Sequence, residues 1–334
     1  MLTLCYLCAL FKGNIMAKIK TQLISVMSEL GAGTRGSSLG FSALKLASLK
    51  YDPLFFVERE AVEVEHLNHL LHKENQLPSA IRLNGIAKMY ERIESKVSTA
   101  IESGKFPIIF SGDHSNAGGT IAGIVKANSG KRLGVIWVDA HADLHSPYTS
   151  PSGNVHGMPL ATAISADNLD NKGTNVQPKT EAETLWKKMQ GGAQRILPQD
   201  LFFIGVRSIE EPEKNLMAKH NIPNIQVAEA RETGIKQVAE RALEHLKDCD
   251  IIYISFDVDS MDPSVSVGTG TPVSNGFTEE ETGELLLYLV EDSRLCAFET
   301  TEVNPLLDDK GNSMAEATFR VISPVIKKIE NKNS

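Results

Sequence analysis

The chain is short of cysteine, of basic residues and of long apolar runs, and each shortage removes a class of protein. Its four cysteines, Cys5, Cys8, Cys249 and Cys296, are too few and too scattered for a disulfide framework, so a reducing, cytoplasmic setting is expected. The pair Cys5-x-x-Cys8 has no second pair that would complete a metal site. Lysine and arginine number 34 against 42 aspartates and glutamates, a net charge of −8. A general nucleic-acid surface needs a basic face, so none is expected, whereas a small cationic partner is compatible with this balance. No stretch reaches the roughly 18 apolar residues of a membrane span. The opening MLTLCYLCALFKGNI is apolar but too short to span, and it lacks the positive start and small-residue cleavage site of a secretory signal. Residues 1–15 are read as an over-extended start or a disordered arm, with Met16 a more natural beginning. With no internal repeat and no break in composition, residues 16–334 are read as one domain.

What the chain does have is a regular alternation of apolar runs and helical patterns. Strands are expected at 19–28, 106–111, 135–138, 200–206, 250–256 and 294–299. Helices are expected from about Ser42, across 80–102 with Gly104 as the terminal cap, at 117–126, across 235–247, from a Thr278–Glu281 capping box to about Glu291, and from a Ser313–Glu316 capping box to the C-terminus, kinked at Pro324. The glycine-rich run from Gly31 to Gly40 has neither a Walker lysine nor GxGxxG spacing, so it reads as a strand-to-helix connection. Residues 165–198 read as a polar excursion with a short helix around 181–189. Trp137 and Trp186 read as packing residues. Strands alternating with helices imply an α/β fold with a mostly parallel sheet covered on both faces, three layers in all.

The chemistry gathers where the apolar runs end. Val135 to Val138 breaks into Asp139-Ala-His141-Ala-Asp143, whose three polar side chains share one face of an extended backbone. The run 106–111 ends in Gly112-Asp-His114-Ser115, the run 250–256 in Asp257-Val-Asp259, and the run 294–299 is followed by Glu302. Carboxyl ends of strands are where open α/β sheets place ligands. Four aspartates crowded together would repel and take up protons, unless cations balance them. Two divalent ions would do so, and the mixture of carboxylate and imidazole favours manganese, ahead of iron, cobalt or nickel. Zinc fits less well, because six largely oxygen ligands suit octahedral rather than tetrahedral sites. Two such ions are a means of generating hydroxide near neutral pH, so hydrolysis is the expected reaction class.

These motifs, Gly112-Asp-His-Ser115, Asp139-Ala-His-Ala-Asp143, Ser255-Phe-Asp-Val-Asp259 and Glu302-Val-Asn-Pro305, resemble the signatures of the ureohydrolases in order and spacing, from about residue 20 to about 328. Within that group Ser152-Gly-Asn154-Val-His156-Gly resembles the arginase branch, since agmatinases and formimidoylglutamases lack the SGN-x-HG run. The resemblance implies a three-layer fold, two Mn²⁺ per chain, and hydrolysis of L-arginine to L-ornithine and urea by a metal-bridging hydroxide. It implies one ion on His114, Asp139, Asp143 and Asp257 and the other on Asp139, His141, Asp257 and Asp259. His156 would shuttle protons beside the substrate, Glu302 would pair with the guanidinium, and Thr271 would line the wall. Ser152 and Asn154 would receive the α-carboxylate. Assembly as a homotrimer or homohexamer would follow.

Two positions depart from the pattern, both in substrate recognition. His145 stands where the family commonly has asparagine near the α-carboxylate, and Glu210 where it commonly has aspartate for the α-amino group. They keep open the reading of a ureohydrolase for agmatine, guanidinobutyrate or formimidoylglutamate. A non-catalytic, binding-only relative would be expected to have lost a ligand position, and all six are present. A metallophosphatase would want a lysine or arginine clamp where Glu302 stands.

Overall fold

Eight strands, all parallel, form one sheet in a computed structural model that describes residues 19–173 and 177–332. The readings made for residues 1–15, including Cys5, Cys8 and the start at Met16, lie outside the described residues. The strands are β1 (Thr21–Val26), β2 (Ala61–Glu63), β3 (Phe106–Ser111), β4 (Leu133–Val138), β5 (Leu201–Ile204), β6 (Asn224–Ile225), β7 (Ile251–Asp257) and β8 (Leu295–Thr301). They lie side by side in the order β2-β1-β3-β8-β7-β4-β5-β6. Central strands buried on both faces must be apolar on both, which is why β3, β4 and β7 read as unbroken apolar runs. Pro107 is tolerated inside β3 because β8 pairs only with Ile108 to Phe110, so the missing N–H takes nothing from that ladder.

Adjacent residues of one strand feed opposite layers. Leu23, Ile108, Phe110, Ile136, Val138, Ile252, Ile254 and Phe298 pack with α1 (Gly40–Tyr51), α8 (Ile235–His245), α9 (Glu279–Leu289) and α10 (Ser313–Glu330). Ile24, Ile109, Val135, Trp137, Tyr253 and Ala297 pack on the other side with α2 (Leu83–Glu102), α3 (Ala117–Ala127), α4 (Pro159–Ala163) and α5 (Thr180–Gln190). The expected three-layer α/β fold is therefore present, with the sheet wholly parallel. Each fully buried Leu, Ile or Phe in these layers contributes about 1.5–3 kcal/mol by leaving water.

The elements that the sequence reading passed over are short or weakly patterned. β2 has three residues and β6 two, both at sheet edges. The helices α6 (Glu211–His220) and α7 (Val227–Thr233) follow β5 where the sequence is mostly polar. The Thr278–Glu281 capping box is present, Glu281 N–H donating to Thr278 Oγ1 at 3.1 Å. The Ser313–Glu316 box is not. Asn312 occupies the cap position, and Asp308 does the capping: it accepts from the Met314 N–H at 2.8 Å and from Ser313 Oγ. Glu316 is instead drawn outward to Lys50 and Tyr51, because an ion pair and a phenol outbid its reach-back to the cap. Helix α10 continues through Pro324, and Gly104 follows α2 at φ 71°, the left-handed position that suits glycine.

Candidate metal centre and active-site cleft

Four strands of the sheet, β3, β7, β4 and β5, deliver their carboxyl ends to one cleft of about 210 Å³, whereas Glu302, just past β8, does not line it and is buried against His114 and His156. The wall includes His114, Asp139, His141, Asp143, Asp257 and Asp259, together with His145, Ser152, Asn154, His156, Glu210 and Thr271. Such a volume lies below the roughly 300–1,000 Å³ of drug-sized pockets and suits something the size of an amino acid. Among the described residues no lysine or arginine lines it.

The local backbone aims the carboxylates. Asp139 Oδ1 accepts from the His141 N–H at 2.7 Å, Asp257 Oδ1 from the Asp259 N–H at 2.8 Å, and Asp259 Oδ1 from the Ala140 N–H at 3.1 Å. Each bond pins one oxygen outward and turns its partner, Oδ2, into the shared space. Asp143 reaches the cluster from a left-handed backbone, φ 51°. Glu302 just past β8 is also left-handed, at φ 67°, and its Oε1 accepts from the His114 N–H at 2.9 Å. Non-glycine residues held in that region are strained by about 1–3 kcal/mol each, a cost that tends to be stored at sites of function.

His114 Nδ1 stands 3.0 Å from Asp139 Oδ2, 3.1 Å from Asp143 Oδ2 and 3.1 Å from Asp257 Oδ2. Yet Nδ1 and Asp139 Oδ2 are both buried without a hydrogen-bond partner. An ordinary buried ion pair would align one donor with one acceptor. One ring nitrogen equidistant from three carboxylates is instead the spacing of neighbouring ligands around an ion with bonds near 2.1 Å, whose octahedral edges are about 3.0 Å. The second group is Asp139, His141 and Asp259, with His141 Nδ1 at 3.0 Å from Asp259 Oδ2. The residues fit a pair of divalent cations sharing Asp139.

Without cations the cluster is electrostatically costly. Burial, then repulsion from Asp139, pushes Asp143 up to about 7. Burial followed by the neighbouring carboxylates raises Asp257 and Asp259. Burial opposes the charge of Asp139 too, but His114 and His141 beside it hold its carboxyl below the usual range. His156 is likewise disfavoured as a cation by burial, and the Glu302 carboxylate 3.4 Å away overcomes that, raising it to about 9.

Some wall residues were not singled out from the sequence. Glu213 on α6 is buried, accepts from the Leu144 and Glu210 N–H groups, and lies 3.5 Å from His145 Nε2. A carboxylate in the first turn of a polar helix gave no signal of its own. Behind the wall, Asp113 ties the glycine-rich run to His156: its Oδ2 accepts from the Gly31 N–H at 2.9 Å, and the Gly31 carbonyl accepts from the His156 N–H at 3.2 Å. Gly31 is required by contact, since a Cβ there would lie 2.6 Å from Ser115 Oγ. The two departures of the sequence meet each other, His145 Nε2 lying 2.7 Å from Glu210 Oε2, while His145 Nδ1 is 3.1 Å from Thr149 Oγ1.

Similarity to known proteins extends over nearly the whole chain. The profile of the Arginase family matches residues 20–327. The arginase of Bacillus caldovelox is 33% identical over 304 residues, covering 88% of this chain and 94% of that protein. The solved arginase of Bacillus subtilis superposes with a TM-score of 0.74 at 30% identity, covering 94% of this chain and 99% of its own. A formimidoylglutamase from the same species gives 0.73 at 20% identity, covering 95% and 89%, a likeness of fold alone. No helix among the described residues is long and apolar enough to cross a membrane. The chain belongs to the arginase family of hydrolases.

Proposed function

We propose that this chain is a two-manganese hydrolase that cleaves the guanidinium of L-arginine to L-ornithine and urea. The observation that carries the reading is the shared wall: Ser152 and Asn154 line the same small cleft as the Asp and His cluster. A substrate whose guanidinium lay at the cluster would turn its other end toward a hydroxyl and an amide, both donors for a carboxylate. His114, Asp139, Asp143 and Asp257 would hold one ion, and Asp139, His141, Asp257 and Asp259 the other. Bound there, the ions would supply a water-derived nucleophile at neutral pH and polarise the guanidinium carbon.

The remaining work falls to side chains. Glu302, buried and tied to the His114 N–H, offers carboxylate charge to the guanidinium. His156, paired with Glu302, sits at the wall as a proton donor to the leaving ornithine amine. Thr271 donates to Asp259 Oδ2 at 3.2 Å and steadies that ligand. His145 and Glu210 act together: Glu210, one methylene longer than aspartate, reaches His145, and the joined pair with Glu213 presents acceptors to the substrate α-amino group.

The test is urea release from L-arginine and from agmatine, which lacks the α-carboxylate, with manganese present. Arginine is expected to have the larger kcat/KM, because donors built for a carboxylate are left unpaired by its absence. Asn154→Ala and Ser152→Ala should narrow the gap. Agmatine turned over as well as arginine would overturn the substrate assignment and favour another ureohydrolase activity.

A further inference from the structure

Behind the cleft wall one half-buried cation, Arg207, spends itself wholly on backbone. It follows β5, and its guanidinium carries five N–H donors. Nε donates to the Ser274 carbonyl at 3.0 Å. Nη1 donates to the carbonyls of Gly205 at 3.1 Å and Ser260 at 3.4 Å, and Nη2 to those of Asp259 at 2.9 Å and Val273 at 2.7 Å. The five acceptors belong to three segments: the end of β5, the turn after β7, and the loop that follows Thr271. The backbone of Arg207 is fixed separately, since its N–H and that of Ser208 both donate to the Ala140 carbonyl at 2.9 Å. Five carbonyl oxygens turned to one point repel one another, and once shielded from water each needs a donor. A planar, permanently charged fork answers all five, whereas a lysine has three donors and no fixed plane.

We propose that Arg207 is a positioning residue that sets the gap between Asp259 and Thr271, a role that rests on the two-manganese reading above. Its Nη2 holds the carbonyl of Asp259 and that of Val273, two residues past Thr271, so a single nitrogen spaces the two segments. Across the same gap the Thr271 hydroxyl donates to Asp259 Oδ2 at 3.2 Å, the oxygen that also stands 3.0 Å from His141 Nδ1. Asp259 is thus held at three points: its carbonyl by Arg207, Oδ1 by the Ala140 N–H, and Oδ2 by Thr271. The ends of the Thr271 loop are tied elsewhere. The Gly268 carbonyl accepts from the Asn304 N–H at 2.8 Å, and the Phe277 N–H donates to the Ser260 carbonyl at 3.0 Å. Between those ties Arg207 grips Val273 and Ser274, next to Thr271. Outer contacts of this kind orient the ligands of a metal and tune its affinity.

Arg207→Lys keeps the charge and an aliphatic stem but answers at most three of the five carbonyls. The Thr271 segment should then shift from Asp259, and one of two manganese ions should bind about 10-fold more weakly, the lower end of the cost of losing an outer partner. The other ion should keep its affinity. Thr271→Val, which removes only the hydroxyl, should give the same loss. The double variant decides the route. If Arg207 acts through Thr271, the two changes together should also cost about 10-fold, not the roughly 100-fold of independent effects. Chelator competition against the manganese-loaded protein measures both affinities, with far-UV circular dichroism and Tm beside it. Wild-type affinities in either single variant would overturn the proposal, and so would additive losses in the double variant. Equal weakening of both ions in step with a lower Tm would also overturn it, as would an Arg207→Lys chain that does not fold, since each gives Arg207 a role in the fold at large. A wild-type chain that takes up fewer than two ions overturns the two-manganese reading and this inference with it, and is seen before any variant is made.

Discussion

Stripped of cations, the protein should lose stability as pH rises from 5 to 8. The unfolded chain gives up each aspartate proton near 3.8, whereas burial and then Asp139 hold the proton on folded Asp143 up to about 7. A carboxyl raised in this way contributes stability that is fully present below 3.8 and is gone above about 7. At 1.36 kcal/mol per pKa unit, that single group is worth about 4 kcal/mol from 3.8 to 7, of which about 3 kcal/mol is lost above pH 5. Asp257 and Asp259 shift in the same direction, and His141, raised to about 12 by Asp259 and Asp139 against the opposing effect of burial, also binds protons that the unfolded chain has released above 6.5. Asp139 shifts the other way, but its contribution is lost only in acid, below this window. For a 334-residue chain the unfolding entropy is about 0.7 kcal/mol per degree, so 3 kcal/mol corresponds to roughly 4 °C in Tm. Manganese bound at the cluster, as proposed, would displace those protons, so the Tm gained on adding it should grow with pH. Thermal unfolding of chelated and manganese-loaded protein at half-unit pH steps measures both slopes. A chelated Tm that is flat or rises from pH 5 to 8, or an Asp143→Asn variant with an unchanged slope, would refute the reasoning.

Asp139→Asn and Asp257→Asn should each lose metal and urea release together if, as proposed, each side chain holds both ions; full activity after chelation in either variant would contradict that sharing. His156→Ala should keep two ions but lower kcat by about 10²–10⁴, the range for general acid–base groups, and an unaltered kcat would return His156 to a loop residue. Gly31→Ala places a Cβ 2.7 Å from Asp113 Oδ1, and overpacking of that kind costs about 1–3 kcal/mol. The loop should lift off the His156 N–H, lowering kcat with metal content intact, whereas a Tm and kcat equal to wild type would show that the loop has room.

Much of the site was legible because its residues are local in sequence even where the site is not. Alternation in Asp139-x-His141-x-Asp143 and Asp257-x-Asp259 puts side chains on one face whatever the fold, and an apolar run before each pair places it at a strand end. The parallel sheet was legible for the same reason. What stayed hidden depends on contacts between distant segments. Glu213 faces the cleft only because α6 starts beside Leu144. Glu299 gave no signal, since one glutamate in an apolar strand looks like an edge residue until Ser111 and Tyr253 are seen on either side. The Ser313–Glu316 pattern failed for a similar reason: the motif was correct, but Asp308 from the preceding loop reached the helix start first.

The strand order also dictates when the centre can exist during folding. Strands β1 to β3 form one contiguous half of the sheet and β4 to β6 the other, and no ladder joins the halves directly. The last two strands, β7 and β8, wedge between β3 and β4. His114 therefore meets Asp139 and Asp143 only after the C-terminal part of the chain has emerged and inserted. Until then both halves carry an open strand edge at β3 and β4, the condition that invites pairing with other chains. A growing polypeptide that ends before Ile251 lacks Asp257 and Asp259 and the two strands that hold β3 beside β4, so the cluster is completed last, at the seam between two halves made earlier.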